Sequence, residues 1–273
     1  MSGLDLLVLG GTGLLGTSLV QAAARDDRRW AATHQHTSRS GRGWHRIDLA
    51  TDPDAVLALL DRLSPRAIVN AAYVQAGDGL WPLTAELPGH VASWTAGRSR
   101  FVHVSTDIVF DGSLGRPYTE DDPASPVNEY GAAKLAAEQA VLAADPAAVI
   151  ARTSLLWGGS GDGGPQVRLV RDPDVRFFTD EFRNPLEVDS LSAACLELVD
   201  RPEITGLLHV AGAERVDRLT FARALAPLAG VDPDTLVGGS GAHQPGRPAD
   251  VSLDSSRAAA LLDTPLRGLP RPS

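Results

Sequence analysis

The sequence predicts an α/β fold, a doubly wound parallel sheet with a smaller C-terminal substrate lobe, on three observations. Short apolar strands alternate with helix-like stretches, a glycine-rich turn joins the first strand to the first helix, and glycine and proline become frequent after about residue 152. We expect a dinucleotide-binding domain over residues 1–152. A substrate-binding lobe is expected over 153–273, with some of its strands and helices returning to the first domain.

The elements of the first domain follow from apolar patterning. Residues 4–9 are nearly all apolar, which suits a parallel strand covered on both faces. Right-handed crossovers between strands and helices then produce a parallel sheet. Further strands are predicted over 30–33, 44–47, 67–70, 101–105 and 148–151, and helices over 17–25, 53–63 (capped by Thr51 or Asp52), 83–96 and 126–143.

The C-terminal lobe shows a different pattern. A glycine-rich loop is predicted over 158–165, strands over 175–178 and 207–210, and helices over 189–199 and 217–228. Ligands of such folds lie at the carboxyl ends of parallel strands, so we expect this lobe to close over the cofactor and to select the substrate.

Charge and composition exclude several classes of function. The net charge of −9 and the pI of about 5.2 argue against nucleic-acid binding, which needs basic surface. No apolar run approaches the roughly 18 to 20 residues that span a bilayer, so we expect a cytoplasmic protein with a small-molecule substrate and no membrane partner; a homodimer stays open. Cys195 is the single cysteine, and no Cys or His spacing predicts a metal site.

A glycine-rich turn predicts a dinucleotide site of the Rossmann type. The glycines have the spacing G-x-x-G-x-x-G directly after the first apolar strand. The first permits a tight turn, and the others let the backbone approach a pyrophosphate and let helix and strand pack closely. The residues expected to bind the cofactor here are Gly10, Gly11, Thr12, Gly13, Leu14, Leu15 and Gly16.

The end of the second strand predicts which dinucleotide binds. A carboxylate there would bind the adenosine ribose of NAD, whereas basic or hydroxyl residues would accept the 2′-phosphate of NADP. Residues 33–39 contain no carboxylate, which favours NADP(H) over NAD(H). Arg39 is the first candidate for the phosphate and Ser38 the second, and His34 belongs to the same cofactor-binding segment.

Tyr130 and Lys134 form the candidate catalytic pair. They stand four residues apart in a predicted helix, so both side chains emerge on one face. A cation about 4 Å from a phenol, at an effective dielectric of about 20, would lower the phenol pKa by about 3 units from its usual value near 10. Lys134 is the single lysine among 25 lysine and arginine residues, which suggests that its position requires an amine.

These motifs together resemble the extended short-chain dehydrogenase/reductase family. The stretch from Val104 to Gly112, the segment 115–120, the Tyr130-Gly131-Ala132-Ala133-Lys134 motif and the closing segment 247–254 look like the dTDP-4-dehydrorhamnose reductase branch of that family. The resemblance spans nearly the whole chain.

The resemblance implies a reaction and a set of roles. Hydride would pass from a nicotinamide to a ketone carbon, with Tyr130 protonating the oxygen, Lys134 lowering the tyrosine pKa and binding the ribose, and Thr106 holding the carbonyl oxygen. Further cofactor contacts are implied for Asp48, Leu49, Ala71, Ala72, Tyr73 and Ser105.

The implied substrate is a nucleotide-linked 4-keto-6-deoxysugar or a similar ketone. Arginines would pair with its two phosphates, with Arg171, Arg176, Arg183 and Arg247 as candidates. The residues expected to contact the substrate are Asp107, Val109, Phe110, Trp157, Arg183, Asn184 and Arg247.

Two departures from the family pattern bear on the reaction. Related dehydratases carry a glutamate where this chain has Ile108, which cannot transfer a proton, so reduction is favoured over dehydration. Residues 74–98 match the family poorly in a region that borders its substrate. Two alternatives therefore stay open: a non-catalytic dinucleotide-binding partner similar to the regulatory subunit of methionine adenosyltransferase, and a reductase or epimerase of another carbonyl compound.

Overall fold

A computed structural model describes residues 3–35, 41–159, 161–241 and 244–270. The strands, in chain order, are β1 (Leu6–Leu9), β2 (Trp30–His34), β3 (Trp44–Arg46), β4 (Ala67–Asn70), β5 (Arg100–Thr106), β6 (Val149–Thr153), β7 (Leu156–Trp157), β8 (Phe177–Phe178), β9 (Phe182–Arg183), β10 (Leu186–Glu187), β11 (Gly206–His209), β12 (Val216–Asp217) and β13 (Gly238–Gly239). The α-helices are α1 (Leu14–Arg25), α2 (Pro53–Leu63), α3 (Leu87–Thr95), α4 (Glu129–Ala144), α5 (Gly164–Arg171), α6 (Val188–Asp200), α7 (Arg218–Ala229) and α8 (Ser256–Leu261).

The largest sheet in the described residues has seven strands in the order β11-β6-β5-β4-β1-β2-β3. Strand β1 pairs in parallel with β2 on one side and β4 on the other, and β4 pairs in parallel with β5. This order confirms the predicted doubly wound sheet, because strands β2 and β3 extend it to one side of β1 and later strands extend it to the other. Leu9 and Asn70 are partners in the register, so the turns that follow β1 and β4 lie side by side at the carboxyl edge.

The core on this sheet is built from strands that are buried along their length. All four residues of β1 and all four of β4 are buried, as the apolar run at residues 4–9 predicts for a sheet covered on both faces. Helix α2 begins with the expected cap, because the Asp52 side chain accepts a hydrogen bond from the Ala55 amide at 2.9 Å. Burial of Val56, Leu59 and Leu60 along one face then fixes α2 against the core.

One predicted helix is divided in the structure. Residues 83–96 were expected to form a single helix, but a π-helical segment, Leu80–Glu86, precedes α3. Pro88 explains the new start, because proline has no amide hydrogen and is tolerated in the first turn of a helix. Thr84 in the π-helical segment is buried and exchanges hydrogen bonds with both the amide and the carbonyl of Val74.

The described residues group into two compact units. Segment 106–128 belongs to unit 2 because its backbone pairs with the C-terminal region, with Tyr118 and Ser252 joined at 2.8 Å. The Gly206 amide donates to Ala148 at 2.9 Å, within unit 1. Unit 1 comprises the described parts of Met1–Ser105, Glu129–Ala151 and Cys195–Leu207, and unit 2 those of Thr106–Asn128, Arg152–Ala194 and Leu208–Ser273.

Unit 2 has an apolar cluster of its own, in which α5 and α7 pack together around residues such as Val167, Phe221 and Leu225. Strand β11, predicted over 207–210 in the C-terminal part of the chain, lies beside β6 at the edge of the large sheet. No helix within the described ranges combines the length and the apolar composition that a membrane crossing requires.

Candidate functional site

The glycine turn after β1 has the geometry that its spacing predicts. Gly10 adopts a φ of +82°, a conformation that favours glycine, and a Cβ there would lie 2.8 Å from the backbone of Ala72. A Cβ on Gly16 would collide with the carbonyl oxygen of Gly10, so this glycine lets α1 approach the turn. Gly13 is exposed, and a Cβ there would approach nothing closer than that oxygen at 3.5 Å. Its outer face is therefore open to a ligand.

The first turn of α1 adds anion-binding capacity to this turn. The helix begins at Leu14, and the first amides of any helix have no acceptor within it. These amides and the helix dipole favour a pyrophosphate at this end. Open backbone at Gly13 together with a helix N-terminus fits a dinucleotide. The other side chains of the predicted motif differ in exposure: Leu15 is buried, and Thr12 and Leu14 are half-buried.

The predicted adenosine end lies at β2 and β3. His34 ends β2, is 8% exposed and pairs in register with Arg46 of β3. An open cleft of about 340 Å³ is lined by Gln35, Arg46, Ile47 and Asp48. Leu49 points into the core. Ser38 and Arg39, the predicted partners of a 2′-phosphate, lie outside the described residues.

A buried asparagine shapes the turn that follows β4. The Asn70 side chain accepts a hydrogen bond from the Ala72 amide at 3.1 Å, and its Nδ2 lies 3.1 Å from Nδ1 of His103. Both side chains are fully buried. This contact fixes the backbone of Ala71 and Ala72 beside the glycine turn, where the family resemblance implies cofactor contacts. Tyr73 follows with half of its surface exposed.

Tyr130 and Lys134 lie in the first half of α4, as predicted. The Tyr130 ring centre is 6.0 Å from the ring centre of Tyr73, and Lys134 Nζ is 5.5 Å from that same Tyr73 ring. The Lys134 ammonium donates to the carbonyl oxygen of Val104 at 2.8 Å. Burial lowers the pKa of Lys134 to about 8, against the opposing effect of Glu138. The structure therefore brings the two aromatic rings and the amine together within unit 1.

Sequence reasoning missed two groups around this amine. Glu138 is buried one helical turn beyond Lys134 and accepts a hydrogen bond from Ser105 Oγ at 2.5 Å. His103 is buried in β5, where burial and the nearby Lys134 hold its pKa well below the usual value. The four-residue spacing from Tyr130 through Lys134 to Glu138 was a signal that could have identified the glutamate.

Thr106 and Asp107 belong to a second group of predicted site residues, which lies within unit 2. Thr106 caps the short 3₁₀ turn Asp107–Val109 by accepting from the Ile108 amide, and it donates to Asp107 at 3.2 Å. Asp107 also accepts from Ser154 at 2.6 Å and lies 3.7 Å from the Arg183 guanidinium. Burial raises the pKa of Asp107, and Arg183 opposes this. The hydrogen bond to Asp107 thus fixes the orientation of the Thr106 hydroxyl.

Three arginines converge on Glu181, which sequence reasoning also missed. The Glu181 carboxylate lies 3.3 Å from Arg183, 3.8 Å from Arg218 and 2.7 Å from Arg247. Burial lowers the pKa of Arg218 to about 10, against the effect of Glu181. The Arg247 side chain remains 45% exposed and stacks over Phe178. Three cations face two carboxylates, those of Glu181 and Asp107, so the arginines outnumber the acids at this cluster, which suits an anionic ligand.

The remaining predicted substrate residues are packed inside unit 2. Val109 and Phe110 are fully buried, and Phe110 stacks on Tyr118 at 4.1 Å. Trp157 is 8% exposed and donates to the Gly268 carbonyl, while Asn184 accepts from the Leu253 amide at 2.7 Å. The structure therefore gives these four side chains packing and hydrogen-bond partners rather than free surface. In the described residues no cluster of His, Cys, Asp and Glu could hold a metal ion.

Comparison with known proteins identifies relatives over nearly the whole chain. The family model described as RmlD substrate binding domain matches residues 4–269. The dTDP-4-dehydrorhamnose reductase of Mycolicibacterium smegmatis is 34% identical, over 96% of this chain and 81% of that protein. Methionine adenosyltransferase 2 subunit beta of Rattus norvegicus is 28% identical, over 94% and 82% of the two chains.

Solved structures share the fold. A crystal structure of a hypothetical dTDP-4-dehydrorhamnose reductase from Sulfolobus tokodaii superposes with a TM-score of 0.81 at 28% identity, over 98% of each chain. That of dTDP-4-dehydrorhamnose reductase from Bacillus anthracis, in complex with NADP, has a TM-score of 0.77 at 21% identity, over 97% of this chain and 96% of that one.

Two glycine substitutions separate packing from ligand access. Gly16→Ala should lower the free energy of unfolding by about 1 to 3 kcal/mol, because its Cβ has no room beside Gly10. Gly13→Ala should keep the free energy of unfolding within about 0.5 kcal/mol and weaken NADPH binding, because its methyl group would occupy only the open face. Urea unfolding and fluorescence titration with NADPH measure the two effects. Wild-type NADPH affinity in Gly13→Ala would contradict this assignment.

The arginine cluster gives a stability prediction. Arg183→Met removes the guanidinium that lies beside the buried carboxylates of Asp107 and Glu181, and should lower the free energy of unfolding by about 3 kcal/mol. Arg168→Met, which breaks an exposed ion pair with Asp162, is the matched control and should change it by less than about 0.5 kcal/mol. Urea unfolding followed by circular dichroism measures both. Equal losses in the two variants would show that Arg183 does not compensate buried charge.

Proposed function

Because this chain belongs to the dTDP-4-dehydrorhamnose reductase family, we propose that it is an NADPH-dependent ketoreductase whose substrate is a nucleotide-linked 4-keto-6-deoxysugar. The observation that carries the proposal is the setting of Lys134. The single lysine of the chain is buried one helical turn after Tyr130, with its ammonium held by the Val104 carbonyl. Such a buried amine beside a phenol suits proton transfer to a ketone oxygen.

The proposed chemistry adds a hydride to the ketone carbon and a proton to its oxygen. A bound nicotinamide dinucleotide supplies the hydride. Tyr130 donates its phenolic proton to the oxygen, and the Lys134 charge stabilises the phenolate that remains. The family resemblance implies a further hydrogen bond from Thr106 to a ketone oxygen; within unit 2 its hydroxyl donates to Asp107. Ile108 offers no proton-transfer group, so the proposed reaction ends at the alcohol.

We propose NADP(H) as the preferred cofactor. Strand β2 ends in His34 rather than in a carboxylate that would repel a 2′-phosphate. Arg46 supports the preference, because its side chain lines the cleft next to Asp48 and has no ion-pair partner among the described residues. Arg39 and Ser38 remain the candidates from the adjoining segment. Asp48 is proposed at the adenine; it already accepts hydrogen bonds from the amides of Ala50 and Thr51.

The nucleotide diphosphate is proposed to bind at the arginine cluster around Glu181. Arg247 is the best-placed of its members, because nearly half of its side chain is exposed while one carboxylate holds it in position. Arg183 is buried and engaged by Glu181 and by the Pro248 carbonyl, so its proposed role is to support the cluster's charge. Asp107, Val109, Phe110, Trp157 and Asn184 are proposed to shape the substrate site through their packing.

Tyr130→Phe tests the catalytic proposal. With a panel of nucleotide-linked 4-keto-6-deoxysugars, NADPH oxidation should fall about 100-fold to 10,000-fold, because the general acid is lost, while NADPH binding stays within about threefold. Tyr118→Phe is the matched control; its hydroxyl contacts Asp111, and its activity should remain near wild type. Turnover that survives Tyr130→Phe would contradict the mechanism.

The same assay addresses the second candidate function. The similarity to subunit beta of methionine adenosyltransferase favours a dinucleotide-binding partner protein as the alternative. Tight NADPH binding by the wild-type protein with no turnover of any ketone in the panel would support that alternative.

Cofactor preference is tested by two arginine substitutions. Arg39→Gln and Arg46→Gln should each weaken NADPH binding about tenfold and change NADH binding by less than about twofold, because each removes a positive charge proposed to face the 2′-phosphate. Arg42→Gln, which neutralises another exposed arginine ahead of β3, is the control. Dissociation constants from cofactor fluorescence give the comparison. Equal affinity of the wild-type protein for NADPH and NADH would refute the preference.

A further inference from the structure

Lys134 is held in an unusually enclosed position for an amine. The residue is 3% exposed, and its ammonium donates a hydrogen bond to the neutral carbonyl of Val104. A buried ammonium that meets only neutral groups loses its proton readily, because burial penalises the charged form. The proposed function needs that charge, so the source of the compensating negative charge matters.

Side chains from β5, from the turn after β4 and from α4 surround Lys134. On β5, His103 has a pKa held well below its usual value, so it carries no charge near neutral pH. After β4, the Tyr73 ring centre lies 5.5 Å from the ammonium, and on α4 itself Tyr130 stands one helical turn before the lysine. Glu138 is the group in these surroundings that can carry a negative charge, and it opposes the effect of burial on the lysine pKa.

Glu138 is itself held in position. It is 2% exposed, and Ser105 Oγ donates a 2.5 Å hydrogen bond to one of its carboxylate oxygens. This hydrogen bond fixes the carboxylate in position. Ser105 follows Val104, the residue whose carbonyl binds the ammonium. Two successive residues of β5 therefore contact the lysine and the glutamate, which stand one turn apart on α4.

We propose that Glu138, held by Ser105, is a positioning residue that keeps Lys134 protonated in the working pH range. Without this carboxylate the ammonium would lose its proton at lower pH, and the phenol of Tyr130 would lose its cation. The inference rests on the proposed function for its purpose, although the link between Glu138 and Lys134 can be measured without any substrate.

The single lysine allows a direct measurement. In protein labelled with lysine carrying ¹³C at the ε carbon, the side-chain signal belongs to Lys134 alone, so its titration can be followed by NMR. The wild-type midpoint should lie near pH 8. In Glu138→Gln it should fall by about one pH unit or more, because an opposite charge is lost while the shape is kept. Glu129→Gln, which removes an exposed carboxylate from the same helix, should leave the midpoint unchanged.

A pH–rate profile gives the second measurement. The alkaline limb of kcat/KM in Glu138→Gln should move to lower pH by the same amount as the NMR midpoint, so the loss of activity is large at pH 8.5 and small at pH 6.5. A merely structural role would lower activity equally at both values. A uniform loss, or an unchanged Lys134 midpoint, would overturn the proposal.

The outcomes distinguish this proposal from the proposed function. If no ketone is reduced by the wild-type protein while the Lys134 midpoint still falls in Glu138→Gln, the function fails and the role of Glu138 stands. If Glu138→Gln does not fold, Ser105→Ala supplies the test, because it removes the hydrogen bond that holds the Glu138 carboxylate in position. An unchanged midpoint in that variant also overturns the proposal.

Discussion

Burial of one amine constrains a large part of unit 1. Enclosing a charged nitrogen costs free energy that acceptors and opposite charge reduce; here β5 supplies the carbonyl of Val104, and Glu138 of α4 opposes the effect of burial on the lysine pKa. Both elements must therefore keep a fixed relation to each other. The small buried side chains of Ala133 and Ala137 flank the lysine on α4 and permit close packing of the helix. The same arrangement leaves Tyr130 near the exposed ring of Tyr73.

The glycine turn and the turn after β4 form a second constraint, on the backbone. Parallel pairing of β1 with β4 places Gly10 so close to the backbone of Ala72 that a side chain at Gly10 would not fit. Asn70 closes this arrangement by binding the Ala72 amide from within the sheet. Gly13, by contrast, keeps an open face beside this tightly packed backbone. A rigid surface of this kind suits a pyrophosphate, because little entropy is lost when the ligand binds.

Unit 2 is organised around buried charge. Glu181 is surrounded by arginines, and Asp107 lies within reach of one of them, so each buried ion has a partner. Most of these groups lie on short strands and turns that have little intrinsic stability. These ion pairs fix the positions of side chains in a region where the strands are short. Arg247 remains at the surface, and its contacts with Glu181 and Phe178 determine its orientation.

Local patterns in the sequence determined the strands of the large sheet, the strand-to-helix glycine turn and the spacing of Tyr130 and Lys134, because apolar period, turn geometry and helical repeat act over a few residues. The tertiary structure decided the contacts between residues that are distant in the sequence, which local patterns do not contain. Segment 106–128 joins unit 2 through pairing with residues more than a hundred positions away. Val109, Phe110 and Trp157 turned inward, Glu138 became buried against Ser105, and Glu181 became the partner of three arginines. Burial and ion pairing depend on which distant residues meet, and that is settled only when the chain is packed.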